Sequence, residues 1–152
     1  MSKKKLIITY KKKKHIELLK RFLDFQKQGK NVYDLYGEKR NERFELNRYW
    51  SMVNDFIFWT RRKKFVWYIE NYVNDSIGFE DFEITFLQLL WKSMKEDKAL
   101  QINLKELKNF ELDPKSDGFS SLVTSVFRQF EILENEECTE QEVKNYVRGI
   151  LQ

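Results

Sequence analysis

The chain has 152 residues and a formal net charge of +4, with 41% hydrophobic, 34% charged and 16% aromatic residues. This length suits one domain with or without an appendage. The aromatic residues supply the apolar area that disordered chains lack, and five Gly and one Pro exclude a collagen-like or Pro/Gly-rich protein. We therefore expect a chain that folds.

The N-terminal part of the chain predicts two helices rich in cations. Apolar residues at helical spacing place the first over residues 13–27, with Gly29 as its C-terminal stop. The second covers residues 41–59, and we expect the four cations at positions 61–64 to close it, because they suit the negative end of its dipole. Four charges in a row also mark a junction. The prediction for residues 1–64 is therefore a basic helical extension.

Two predicted helices begin the rest of the chain, residues 65–152. The first starts at Phe65 and ends near Asn74 and Asp75. The second follows Gly78, and Glu80 and Asp81 occupy its electropositive first turn. Both carry apolar residues at a spacing that predicts one buried face.

Two more helices follow a linker over about residues 96–116, which holds a short helix near residues 104–107. Ser116 or Asp117 caps the third helix, and Thr139 and Glu142 form a capping box at the fourth. The predicted fold is therefore all-α. It consists of a four-helix antiparallel bundle over residues 65–152 and the N-terminal basic helical extension.

Charge is distributed unevenly along the chain. Residues 1–64 carry 19 Lys and Arg against 7 Asp and Glu, whereas residues 65–152 carry 9 against 17. Residues 109–142 alone hold nine acids and only Lys115 and Arg128. Such a division predicts two binding faces of opposite sign, or one part docking on the other.

Residues able to carry out catalysis are scarce. The single histidine, His15, follows four lysines and has no evident orienting partner, so we expect it to be exposed at the start of a helix. Cys138 precedes a helix, but the glutamates around it oppose formation of a thiolate. No EF-hand spacing and no phosphate-binding glycine loop occur. We expect no enzymatic activity, no metal and no cofactor.

The composition also bears on where the chain works. One cysteine cannot form an internal disulfide, which predicts a reducing compartment. We find neither a secretory signal nor a transmembrane stretch, and we expect a soluble protein of the cytoplasm or the plastid stroma without membrane contact. Residue types with AT-rich codons (Phe, Tyr, Met, Ile, Asn, Lys) number 63, which indicates an AT-rich genome such as a plastid, a plasmid or a low-GC bacterium.

Lysines near the N-terminus form a candidate nucleic-acid surface: Lys3, Lys4, Lys5, Lys11, Lys12, Lys13 and Lys14. Such a cluster suits a phosphate backbone, so one hypothesis is an RNA- or ribosome-associated protein that binds through this end. The other interpretation is a solubilising tail whose lysine content is raised by AT-rich codon usage. Charge alone does not separate the two.

From Phe65 onward the order of features resembles the colicin D-type immunity proteins. The matching stretches are YIENYVNDSIGFEDFE at residues 68–83, FLQLL at 86–90, DPKSDGF at 113–119, and a capped final helix from Thr139. The resemblance covers about 88 of the 152 residues, and residues 1–64 lie outside it.

The resemblance implies a small helical bundle that neutralises a nuclease toxin directed at tRNA. Such an inhibitor presents carboxylates in the basic cleft where the phosphates of the substrate would lie. The candidate partner-binding residues are Asp113, Asp117, Glu131, Glu134, Glu136 and Glu137. The hypothesis is thus a non-catalytic bacteriocin immunity-like protein whose acidic C-terminal surface binds a basic protein.

Overall fold

The computed structural model describes residues 12–30, 40–109 and 111–151, and every regular element in these ranges is helical. The all-α prediction is therefore confirmed. The α-helices are α1 (Lys12–Lys27), α2 (Arg40–Thr60), α3 (Arg62–Val73), α4 (Phe79–Gln101), α5 (Leu104–Lys108), α6 (Phe119–Glu134) and α7 (Glu140–Ile150), with a 3₁₀ turn at Pro114–Ser116.

Local sequence signals set several helix ends as predicted. Gly29, the second residue after the end of α1, adopts a left-handed φ of 69°, as a C-terminal stop requires. At the start of α7 the Thr139 side chain accepts from the Glu142 N–H, and the Glu142 side chain accepts from the Thr139 N–H. The predicted capping box is confirmed.

The four cations at positions 61–64 do not close a helix as expected. α2 ends at Thr60, Arg61 alone separates it from α3, and the next three cations form the first turn of α3. Neighbouring groups hold two of these side chains. Arg61 bonds to Ser93 at 3.2 Å and pairs with Glu96, while Arg62 lies 4.4 Å from the centre of the Trp59 ring.

The predicted linker is shorter than expected, because α4 continues to Gln101. The predicted caps of α6 are also wrong. Its N-cap is Gly118, with φ of 77°, and Asp117 instead ends the 3₁₀ turn.

The chain divides into two compact units, residues 1–51 with 100–111 and residues 52–99 with 112–152. The predicted boundary between residues 64 and 65 falls inside the second unit. That residues 65–152 fold without residues 1–64 stays a prediction.

The first unit has a small core that includes the histidine. His15 is 3% exposed and stacks on Tyr49, with ring centres 5.2 Å apart. The expectation of an exposed histidine is therefore wrong. His15, Leu18, Leu19 and Phe22 recur at the spacing of one helix face, so the turn of α1 buries all four together.

Aromatic rings dominate the core of the second unit. Tyr72 of α3 stacks on Phe82 of α4 with ring centres 4.4 Å apart. Phe130 of α6 makes edge-to-face contacts with Phe79, Phe82 and Phe86, with ring centres 5.3–5.7 Å apart. These contacts hold the first turns of α4 against the last turns of α6.

One buried carboxylate holds the start of α6. Asp55 of α2 is 8% exposed and accepts hydrogen bonds from the N–H groups of Gly118 and Ser120, each at 3.0 Å, and from the Ser120 hydroxyl. A carboxylate at this position satisfies N–H groups that have no partner within the helix, and it interacts favourably with the helix dipole.

We predict that Asp55→Ala lowers the free energy of unfolding by about 2–3 kcal/mol, because it leaves two backbone donors of α6 without their charged acceptor. Urea denaturation followed by circular dichroism measures the loss. Asp113→Ala is the control, since Asp113 caps only the 3₁₀ turn, and it should cost about 1 kcal/mol or less. Equal losses in the two variants would contradict this role of Asp55.

Candidate functional site

Carboxylates from two helices meet at one end of the second unit. The contacts of Phe130 with Phe79 and Phe82 bring the first turn of α4 to the last turn of α6. We call the resulting set the acidic surface, and it consists of Glu80, Glu83, Glu131, Glu134, Glu136 and Glu137.

Four of the six predicted partner-binding acids belong to this surface. Glu131 and Glu134 lie in the last turn of α6, Glu136 and Glu137 follow in the loop, and all four are exposed. None of the four pairs with a cation among the described residues, so their negative charge faces solvent without local compensation.

The other two predicted acids lie at the opposite end of α6. Asp113 is half-buried and accepts a hydrogen bond from the Lys115 N–H at 2.9 Å, whereas Asp117 is exposed just before the helix. A helix of 16 residues is about 24 Å long. Asp113 and Asp117 are therefore separated from the acidic surface by the length of α6.

Two glutamates in the acidic surface, Glu83 and Glu134, interact with each other. Partial burial of Glu83, a hydrogen bond with Glu134 and the charges of Glu134 and Glu80 raise the pKa of Glu83 to about 6. A hydrogen bond between two carboxyl groups requires that one be protonated. At neutral pH this pair therefore carries repulsion that a cationic partner would relieve.

Glu136 occupies a backbone position that glycine prefers. Its N–H donates to the Leu133 carbonyl and the Glu137 N–H donates to the Ile132 carbonyl, which is the Schellman arrangement at the end of α6. Its φ is 58°, in the left-handed region where a β-carbon costs roughly 1–2 kcal/mol.

A left-handed residue also follows the end of α3, but there its side chain has a partner. Asp75 has φ of 61°, but its carboxylate pairs with Lys144 of α7. The Asp75 side chain thus has a partner within the fold. No ion pair or side-chain hydrogen bond of Glu136 occurs in the ranges that the structure describes.

Partial burial and the charges of Glu142 and Glu137 raise the pKa of Cys138. The thiol is thus disfavoured as a nucleophile, as predicted. Within the described ranges, no three His, Cys, Asp or Glu side chains are grouped so that they could hold a metal ion.

The first unit carries a groove lined by lysines. Lys12, Lys13 and Lys20 of α1 and Lys108 of α5 surround an open space of about 520 Å³, together with Ile16 and Glu17. Cations around a groove of this kind suit a phosphate-bearing ligand. We call these four lysines the lysine groove.

The predicted lysines have different surroundings. Lys12 pairs with Glu111 at 2.9 Å and Lys14 with Glu45 at 3.0 Å, while Lys13 is exposed. Lys3, Lys4, Lys5 and Lys11 lie outside the described residues.

The charge difference follows the two compact units. The first unit holds 17 Lys and Arg against 8 Asp and Glu, a net charge of +9, and the second holds 11 against 16, a net charge of −5. Each unit can therefore attract a different class of partner.

The chain matches no protein-family model, and comparisons with curated proteins and with solved structures found no match either. Among the helices that the structure describes, none combines the length and the apolar character needed to cross a membrane.

Sequence reasoning did not include Glu80 and Glu83 in the acidic surface. Glu80 was interpreted only through the dipole of its own helix, and Glu83 only as the last residue of the stretch 68–83 that carries the resemblance. Phe79 and Phe82 recur in the first turn of α4, and an apolar pair there could have indicated that this turn packs against another helix.

We predict that Glu83→Gln stabilises the protein at neutral pH and not in acid. Below the unfolded pKa of 4.5 both states are protonated, and as pH rises toward 6 the folded wild type loses stability because the unfolded state ionises first. Glu134 is exposed and Glu83 only partly buried, so solvent screens their interaction and the gain at pH 7 should be about 0.5–1 kcal/mol. Urea denaturation across this pH range measures it.

Glu131→Gln is the matched control, because Glu131 is exposed on the same helix as Glu134. Glu134→Gln should give part of the gain, because it removes the repulsion but leaves the Glu83 carboxylate partly buried, and adding it to Glu83→Gln should change little. A gain that is equal at both ends of the pH range would contradict the interpretation.

Proposed function

We propose that the chain is a non-catalytic binding protein similar to the colicin D-type immunity proteins. Its acidic surface would occupy the basic cleft of a partner such as a tRNA-directed nuclease. The observation that carries the proposal is the Glu83–Glu134 pair with Glu131, Glu136 and Glu137 beside it, because carboxylates gathered without cations are arranged to meet a cationic partner.

We further propose that α3, α4, α6 and α7 act as a four-helix antiparallel bundle that presents this surface, with residues 1–64 as a basic helical extension. Two sets of contacts support it. The start of α4 contacts the end of α6 through Phe79 and Phe130, and the end of α3 contacts the start of α7 through Tyr72 and Glu140. Helices that contact each other at opposite termini run in opposite directions.

The loop geometry supports a binding role for Glu136. A glutamate in the left-handed region costs stability, and no ion pair or side-chain hydrogen bond of Glu136 within the described residues offsets that cost. Strain at such a position is found where function retains the side chain. Glu136 would therefore project into the partner as a charged contact.

A reducing compartment, either the cytoplasm or the plastid stroma, is the setting we propose for this interaction. The single cysteine provides no internal disulfide, so stability rests on the packed helices.

The proposal is tested with the nuclease domain of a colicin D-type toxin as the probe. Reversal of Glu131, Glu134, Glu136 and Glu137 to Lys should abolish binding measured by calorimetry and inhibition of tRNA cleavage, because repulsion replaces attraction at the cleft. Reversal of Glu17, Asp24, Glu70 and Glu106 changes the net charge equally elsewhere and should leave most of the affinity. Equal losses would contradict a local interface.

Glu136→Gly separates binding from folding. The fold should gain about 0.5–1 kcal/mol, because glycine removes the β-carbon cost while increasing the entropy of the unfolded chain. The complex should nevertheless weaken. A variant that is more stable and binds equally well would exclude Glu136 from the interface.

A second candidate function is binding of RNA through the lysine groove and the N-terminal lysines. The specific observation in its favour is that Lys13, Lys20 and Lys108 surround one groove although they come from two helices. Backbone contacts of this kind would be independent of base sequence.

For this candidate we predict an affinity for generic RNA that falls steeply with salt. Replacing Lys13, Lys20 and Lys108 by Gln should reduce the slope of log K against log salt by about 2, since fewer counterions are released. A variant that replaces Lys3–Lys5 and Lys11–Lys14 by Gln tests the tail separately. Lys27, Lys63 and Lys64 replaced by Gln form the control, and an equal loss there would indicate general charge attraction only.

A further inference from the structure

The solvent face of α4 carries a regular stripe of exposed residues. Their spacing alternates between three and four residues along the helix, and the members are Asp81, Ile84, Gln88, Trp91, Lys95 and Lys98. Residues at this spacing lie along one face of the helix, and a helix that packs along a second helix makes its contacts through positions spaced in this way.

The stripe lies opposite the core face of the same helix. Phe82, Phe86 and Leu90 are buried, whereas Trp91 is 61% exposed and Ile84 is 54% exposed. A large aromatic and a branched aliphatic side chain, seven residues apart on the solvent-exposed face of one helix, favour an interaction surface.

Charge along the stripe identifies what can cover it. Asp81 lies at the N-terminal end and Lys95 and Lys98 at the C-terminal end, and none of the three forms an ion pair within the described chain. A second copy of α4 laid antiparallel places Asp81 beside Lys95 of the second copy. The two-fold axis repeats that pair at the other end.

The apolar positions follow the same symmetry. With the axis near Gln88, Ile84 of one copy meets Trp91 of the other, and both such contacts form at once. A parallel arrangement would instead place Asp81 against Asp81 and Lys95 against Lys95. Like charges directly opposite each other would repel.

We propose that two copies of this chain associate through an antiparallel pairing of their α4 helices, with Gln88 at the two-fold axis. From Asp81 to Lys98 the seam is about 27 Å long. One helix pair of this length makes a small interface, so the dimer should be weak, with a dissociation constant of roughly micromolar to tens of micromolar. This proposal does not depend on the proposed function.

Sedimentation equilibrium of the full chain, from about 1 µM to 1 mM, measures the association. We expect a reversible monomer–dimer equilibrium, and Trp91→Ala should weaken it at least about tenfold. Trp67→Ala is the matched control, because Trp67 is also exposed, at 56%, but lies on α3. A chain that remains monomeric at about 1 mM overturns the proposal, as does an equal effect of the two tryptophan variants.

A charge exchange tests the antiparallel direction. Asp81→Lys and Lys95→Asp should each weaken the dimer about tenfold or more, and the double variant should restore it to within about threefold. Circular dichroism of each variant verifies that α4 is intact. Failure of the double variant to recover overturns the antiparallel pairing.

The test of the dimer is independent of the test of the proposed function. The variant reversed at Glu131, Glu134, Glu136 and Glu137 should dimerise as the wild type does, because none of these residues lies on the stripe. Loss of the dimer in that variant would count against the α4 interface.

Discussion

The carboxylate of Asp55 at the start of α6 is the interaction on which the second unit depends. It accepts hydrogen bonds from two backbone N–H groups and one hydroxyl, and it thereby fixes where α6 begins. Gly118 has to adopt a φ of 77° at this point, where an L side chain would be strained. With its start held, α6 carries Phe130 into the aromatic core and Glu134 to the far end.

Features set within a few residues could be predicted from the sequence, and features set by distant partners could not. The Thr139–Glu142 capping box and the Gly29 stop are local, and both were predicted. The cap of α6 was assigned to Ser116 or Asp117, because Asp55 lies 63 residues before Gly118. The burial of His15 was readable from its spacing to Leu18 and Leu19, but the neighbouring lysines outweighed that pattern.

In the candidate site, too, some residues could be predicted from local sequence and others depend on distant packing. Glu131, Glu134, Glu136 and Glu137 were predictable as exposed acids, since they end an amphipathic helix and enter a polar loop. Glu83 belongs with them only through the packing of α4 on α6, which no local pattern encodes. Proximity in sequence grouped Asp113 and Asp117 with the others, yet they lie at the other end of α6.

Two local costs to stability coincide at the acidic surface. Ionisation of Glu83 beside Glu134 works against the fold above a pKa of about 6, and Glu136 holds a conformation that favours glycine. The same conformation at Asp75 is accompanied by an ion pair with Lys144. Among the described residues no ion pair accompanies Glu83, Glu134 or Glu136, and the cationic partner that we propose would relieve the repulsion and use the projecting carboxylate.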